Sequence, residues 1–143
     1  VIIVSVKLNN GDTKTATLPV KQGVSELDWD NTKWKFTGTL TVEVEGMKNS
    51  RDEEISVIVN SVENNDFSWG GRNAYGQDYY YGGDISVNES NQLIITASFS
   101  YDNIIISYIL TITRTAETTA VMNLRGDTDG VIQYGTLNGV LIN

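Results

Sequence analysis

The chain has 143 residues, a net charge of −8, no Cys and no His. This length suits one domain that buries a core without a disulfide or a metal, and the missing Cys and His exclude Cys-based zinc sites, thiol redox chemistry and the commonest general base. The acidic balance excludes nucleic acid and anionic membrane surfaces as expected partners, and no apolar run is long enough for a helix that spans a bilayer.

Residues 1–32 predict an N-terminal hairpin followed by a loop. Strands are expected at Ile2–Leu8 and Lys14–Pro19, joined by the turn Asn9-Asn10-Gly11-Asp12, because Asn, Gly and Asp suit tight turns. Ser25–Thr32 is expected to form at most one short helical turn, since Ser25 is a suitable N-cap.

Residues 33–143 predict a meander of hairpins, because apolar and polar residues alternate with period two. The alternation defines strands at Lys33–Glu45, Gln92–Tyr101 and Ile104–Thr113, and Tyr101-Asp102-Asn103 predicts a hairpin turn between the last two. Ile104–Ile112 is so apolar that we expect it to be covered on both faces. Further strands are predicted at Ile55–Val62, Tyr80–Val87, Thr119–Leu124, Val131–Leu137 and Val140–Ile142.

The shared apolar faces of these strands predict the core. Its expected members are Trp34, Phe36, Leu40, Val42, Leu93, Ile95, Phe99, Ile106 and Leu110. So many short strands predict one all-β domain, either a single antiparallel β-barrel of about 8–10 strands or a two-sheet β-sandwich.

The segment Ser68–Gly83 is the strongest functional signal, because it combines aromatic rings with glycine pairs. Glycines break regular structure, so we expect the rings on a loop or a sheet edge, where they contact a ligand. Flat rings suit the C–H faces of sugars, and Tyr-rich, Gly-rich loops also bind protein surfaces. The alternative is that the rings cap the end of the core. The predicted binding residues are Trp69, Arg72, Asn73, Tyr75, Gln77, Asp78, Tyr79, Tyr80 and Tyr81.

Three acidic segments are interpreted as structural. Leu27-Asp28-Trp29-Asp30-Asn31 could ligate calcium or supply an acid–base pair, but it is interpreted as a turn with Asx-type hydrogen bonds. Asp127-Thr128-Asp129-Gly130 is interpreted as a hairpin turn, since it does not continue into the ligand spacing of a calcium loop. Arg51-Asp52-Glu53-Glu54 is predicted to be a solvated loop that precedes a strand. No nucleophile elbow, phosphate-binding loop or dinucleotide fingerprint is present, so we expect no enzyme activity, no metal and no cofactor.

Two segments resemble lipocalin-type (calycin) barrels. They are Trp34-Lys35-Phe36-Thr37-Gly38-Thr39-Leu40, a first strand that joins Trp and Gly, and the closing Tyr134-Gly135-Thr136-Leu137-Asn138-Gly139-Val140-Leu141. The resemblance implies an up-and-down barrel with an apolar cavity for a small ligand.

The sequence therefore predicts a non-catalytic binding module that uses its aromatic loop to contact glycan or a protein surface. Two alternatives stay open: a lipocalin-like carrier of a small apolar ligand, and a structural or assembly domain of a larger surface or viral protein. Because the sequence begins at Val1 and not at Met, we expect a processed or trimmed chain. We also expect the protein to be secreted or displayed at the cell surface.

Overall fold

The structure, a computed structural model, describes residues 2–18, 27–72 and 75–142. These residues form antiparallel strands and no helix, so none of them belongs to a helix that could cross a membrane. The strands are β1 (Ile2–Lys7), β2 (Thr13–Leu18), β3 (Thr32–Val44), β4 (Met47–Ser61), β5 (Asp66–Arg72), β6 (Asp78–Tyr81), β7 (Asp84–Val87), β8 (Leu93–Tyr101), β9 (Ile104–Ala116), β10 (Thr119–Thr128) and β11 (Val131–Leu141).

The strands form two sheets. β1 and β2 form a separate hairpin, and the other nine strands form one sheet in the order β6-β5-β4-β3-β11-β10-β9-β8-β7. The prediction of an all-β antiparallel domain is confirmed. No ladder joins the end strands β6 and β7 among the described residues, so the sheet is not closed into a barrel.

The two ends of this sheet nevertheless meet, because β6 and β7 are separated in the chain only by Gly82-Gly83. This segment passes from pairing with β5 to pairing with β8. Asn65 holds it in place: its Nδ2 donates to the Gly83 carbonyl at 3.0 Å, and its Oδ1 accepts from the Ile85 amide at 2.9 Å. A strand that changes partners at a bend is a usual corner between packed layers, so the folded sheet is compatible with the predicted sandwich.

The core fills the space inside the folded sheet. The predicted core residues that are buried are Trp34, Phe36, Leu40, Leu93, Ile95 and Leu110, whereas Val42, Phe99 and Ile106 lie on the same faces but are half-buried. Glycines on neighbouring strands make room for large side chains: a Cβ at Gly139 would overlap the Phe36 ring, and one at Gly126 would overlap the Tyr108 ring.

One end of the sheet, the Trp29 end, is sealed by stacked side chains. The Arg114 guanidinium lies 5.3 Å from the Trp29 ring and 4.9 Å from the Trp34 ring. It also donates to the carbonyl oxygens of Asp28 at 2.6 Å and Glu117 at 2.7 Å. The segment around Trp29 is a turn, as predicted, but the Trp29 ring itself belongs to the core. Ser25 and Glu26 of the predicted helical turn, and Pro19, lie outside the described residues.

The opposite end, the distal end, carries three two-residue turns. They are Glu45-Gly46, Asp102-Asn103 and Asp129-Gly130, and all six residues have positive φ. This conformation belongs to the tight turns that match the twist of hairpin strands. The turns predicted at Asp102-Asn103 and within Asp127–Gly130 are therefore confirmed, and each of the three carries one acidic residue.

Two sequence expectations about strands are wrong. β9 is covered on one face only, since Ile105 is 64% and Ile109 44% exposed on the other. Arg51–Glu54 is not a loop but part of β4, which pairs with β3 from Met47 to Val59. Residue type alone misleads at both places, because strand formation and burial depend on the neighbouring strands and on what packs against each face.

Candidate functional site

The aromatic segment folds into the edge hairpin β5–β6, and its rings divide between two faces. Trp69 is 3% exposed and its Nε1 donates to the Gly82 carbonyl at 3.0 Å, so the expectation of an exposed Trp69 is wrong. Its ring lies 5.1 Å from Tyr81 and 5.5 Å from Tyr108. Trp69 therefore caps the core, as the alternative interpretation of the rings proposed.

These inward rings form an aromatic cluster across the fold. Its members are Trp69, Tyr79, Tyr81, Phe99 and Tyr108. Tyr81 stacks on Phe99 with ring centroids 4.8 Å apart, and Phe99 stacks on Tyr108 at 5.8 Å. Since Tyr81 belongs to β6 and Phe99 to β8, the cluster holds the two ends of the sheet together without a hydrogen-bond ladder.

A polar group caps the cluster on the distal side. The Glu53 side chain is only 10% exposed, and its carboxylate accepts from Arg51 Nε at 3.1 Å and from the Tyr79 hydroxyl at 3.3 Å. The Tyr108 hydroxyl donates to Gln133 Oε1 at 3.2 Å. These hydrogen bonds satisfy the polar atoms of side chains that point inward from the strands.

The Tyr79 hydroxyl should make stability sensitive to alkaline pH. Burial and the neighbouring Glu53 carboxylate raise the pKa of Tyr79 from 10.0 to about 12. Because the folded pKa is the higher one, the stabilisation is complete below pH 10 and is lost as the pH rises from 10 through about 12. We expect Tyr79→Phe to flatten this part of the profile of unfolding free energy against pH, measured by urea denaturation. Tyr80→Phe, on the exposed face, is the control, and an identical slope in both variants would contradict the assignment.

The outer face of the same hairpin carries a shallow groove of about 150 Å³. Its lining residues are Glu54, Ser56, Gly70, Gly71, Arg72, Asp78 and Tyr80. Gly70 has to be glycine, because a Cβ there would overlap the Tyr79 carbonyl oxygen of the neighbouring strand. The absence of side chains at Gly70 and Gly71 leaves a floor of bare backbone, and the Tyr80 ring, 56% exposed, stands beside it.

An ion pair borders this groove. Arg72 Nε donates to Asp78 Oδ1 at 2.9 Å between the paired strands β5 and β6. The hydrogen bond and the charge of Arg72 hold the pKa of Asp78 below its usual value, and Asp78 in turn raises the pKa of Arg72. Both groups are therefore charged at neutral pH, and their side chains, 65% and 50% exposed, keep further donors and acceptors open to solvent.

The structure thus brings three of the predicted binding residues, Arg72, Asp78 and Tyr80, to one groove. Tyr79 and Tyr81 point inward with Trp69, Tyr75 is 89% exposed in the β5–β6 connection and Gln77 is exposed beside it. Asn73 lies outside the described residues. Glu54 and Ser56 also line the groove, and no signal in the sequence marks them, because only the β4–β5 register places Ser56 opposite Gly70.

The groove is a surface of hydrogen-bonding groups and one aromatic ring. In the described parts of the chain, no three acidic side chains come together as a possible metal site. Comparisons with family models, with curated proteins and with solved structures find no match to this chain.

Proposed function

We propose that the protein is a non-catalytic, extracellular binding module whose β4–β5–β6 groove holds one sugar residue of a glycan. The observation that carries this proposal is the pairing of an exposed Tyr80 ring with a glycine floor and a charged Arg72–Asp78 pair. A sugar ring has an apolar C–H face and a rim of hydroxyl groups. The Tyr80 ring can stack on the C–H face of the sugar. The charged groups of Arg72, Asp78 and Glu54 can form hydrogen bonds with its hydroxyl groups.

The shape of the groove favours a glycan over a protein partner. It is small, and its floor is backbone, which allows a flat ring to approach closely. The ordered ion pair is already aligned, so less conformational entropy is lost when a ligand hydroxyl binds to it. A protein surface would need a larger apolar area around the ring than these residues supply.

A lipocalin-like carrier of a small apolar ligand needs an empty cavity inside the sheet. The inward positions of the described strands hold large side chains with no exposure, among them Trp34, Phe36, Leu93 and Met122. We therefore place the ligand on the outer face of the sheet and not within it.

Removing the ring or the guanidinium should abolish most of the binding. Tyr80→Ala and Arg72→Ala are each expected to weaken glycan affinity about tenfold or more, as truncation of central contact residues usually does. Retention on a glycan array followed by titration calorimetry measures this, and the melting temperature should change little because both side chains are exposed.

Arg125→Ala is the matched control. Arg125 forms an ion pair of similar exposure with Asp127, Nε to Oδ2 at 3.4 Å, on a distant strand. This variant should bind like the parent chain. Equal losses in Arg72→Ala and Arg125→Ala would indicate a general charge effect, and retention of a protein partner with no glycan bound would replace the glycan by a protein surface.

A further inference from the structure

The nine-stranded sheet has a gap at its distal end. Residues 55–61 of β4 pair with β5, but residues 47–54 have β3 as their only ladder partner among the described residues. In β8, residues 93–96 pair with β7, whereas residues 97–101 pair with β9 alone. Nearer the Trp29 end, β5 pairs with β4 and β7 pairs with β8. Towards the distal end the described residues supply no such partner to either strand, and this opening is the gap.

Two free strand edges and a row of exposed apolar side chains border this gap. The edges are the unpaired sides of β4 and β8, which present backbone amides and carbonyls. Val44 of β3 pairs with Met47 of β4, and Ile104 begins β9. All three follow the period-two alternation of the core-facing residues of their strands, yet they are 38%, 73% and 39% exposed. Asn49 lies on the same face of β4, opposite Val42. An inserted pair of strands would cover these residues.

The chain also contains a two-stranded hairpin without a sheet to join. β1 and β2 pair with each other over six residues each, and neither forms a ladder with the nine-stranded sheet. β1 reads Ile-Ile-Val-Ser-Val-Lys, and Val6 is 53% exposed. An isolated hairpin of this length is at best marginally stable in water, so its apolar strand is better stabilised by adding to another sheet.

The charges of the two parts are complementary. Each distal turn carries a carboxylate, from Glu45, Asp102 and Asp129. The hairpin has exposed Lys7 and Lys14 against a single acidic residue, Asp12. A hairpin that enters the gap therefore brings positive charge to a negatively charged rim.

We propose that the β1–β2 hairpin of one copy inserts into the distal gap of a second copy, adding two strands between its β4 and β8. Main-chain hydrogen bonds to the free edges would supply affinity, and Val6 of β1 would help to cover Val44, Met47 and Ile104. The donor and acceptor surfaces are different parts of the chain. The contact is therefore heterologous, and repeated copies form a ring or a filament.

Cysteine cross-linking tests this inference, since the chain has no Cys of its own. A full chain with Val6→Cys is mixed with a full chain with Asn49→Cys under mild oxidation. We expect a disulfide-linked heterodimer from this pair. Val6→Cys mixed with Thr136→Cys, an exposed position on the outer face of β11, is the matched control and should give much less. Sedimentation of the parent chain should show concentration-dependent association that Val6→Glu abolishes.

Three results would overturn the proposal. The first is a heterodimer yield no higher than that of the Thr136→Cys control. The second is cross-linking within one chain when Val6→Cys and Asn49→Cys are combined, which would place the hairpin in its own gap. The third is a parent chain that sediments as a monomer at every concentration.

Discussion

Replacing Arg114 by Ala should lower the free energy of unfolding by about 3–5 kcal/mol. The Arg114 guanidinium is the common partner of the Trp29 and Trp34 rings and of two backbone carbonyls. Its removal deletes two cation–π contacts and leaves the carbonyls of Asp28 and Glu117 without this donor. Since these contacts join the Trp29 turn to β9, the sealed end of the core would open.

Urea denaturation followed by tryptophan fluorescence measures this loss. Arg125→Ala is the control, because Arg125 forms an exposed ion pair and should change stability by no more than about 0.5 kcal/mol. Arg114→Lys keeps the charge but not the planar fork, and it should recover only part of the loss. A loss below about 1 kcal/mol in Arg114→Ala would show that the stacked arrangement does not hold the Trp29 end together.

Replacing Phe36 by Ala should also lower the free energy of unfolding by about 3–5 kcal/mol. The Phe36 ring has no exposure, lies over Gly139 of the neighbouring strand, and stacks on Trp34 with centroids 6.3 Å apart. Gly139 has no side chain that could fill the space left by the ring, so truncation leaves a cavity.

The control for this variant is Ile105→Ala, on the exposed face of β9. Ile105 is 64% exposed, so its truncation should change the free energy of unfolding by no more than about 0.5 kcal/mol. Thermal and urea unfolding of both variants would check the assignment of faces. Similar losses in the two variants would mean that both faces of the sheet are covered in solution.

The alternation of apolar and polar residues in β3 and β8 was sufficient to predict these strands and their buried faces, because one face of each strand is exposed to solvent and the other packs on the core. The same logic failed for Ile104–Ile112, since isoleucines on an exposed face look like those in a core. It also failed for Arg51–Glu54. These charged residues form a strand because β3 extends alongside them and pairs with each of them.

The candidate site was only partly predictable. The segment Ser68–Gly83 could be singled out from its composition, and Arg72, Asp78 and Tyr80 do share a groove. The direction of each ring could not be predicted. It depends on the β5–β6 register, which sends Tyr79 and Tyr81 inward and Tyr80 outward. Glu54 and Ser56 come from a third strand, and their contribution appears only when the strands are assembled.

The pairing of β3 with β11 has a consequence for how the chain folds. Every other ladder of the large sheet joins strands that follow one another closely, whereas Trp34 pairs with Leu141. Local hairpins can form early, but β3 must keep one edge bare until the last strand of the sheet arrives, and such long-range closure is slow. In the interval β3 can pair with another unfolded chain, so dilution and low temperature during refolding should favour the native product over aggregates.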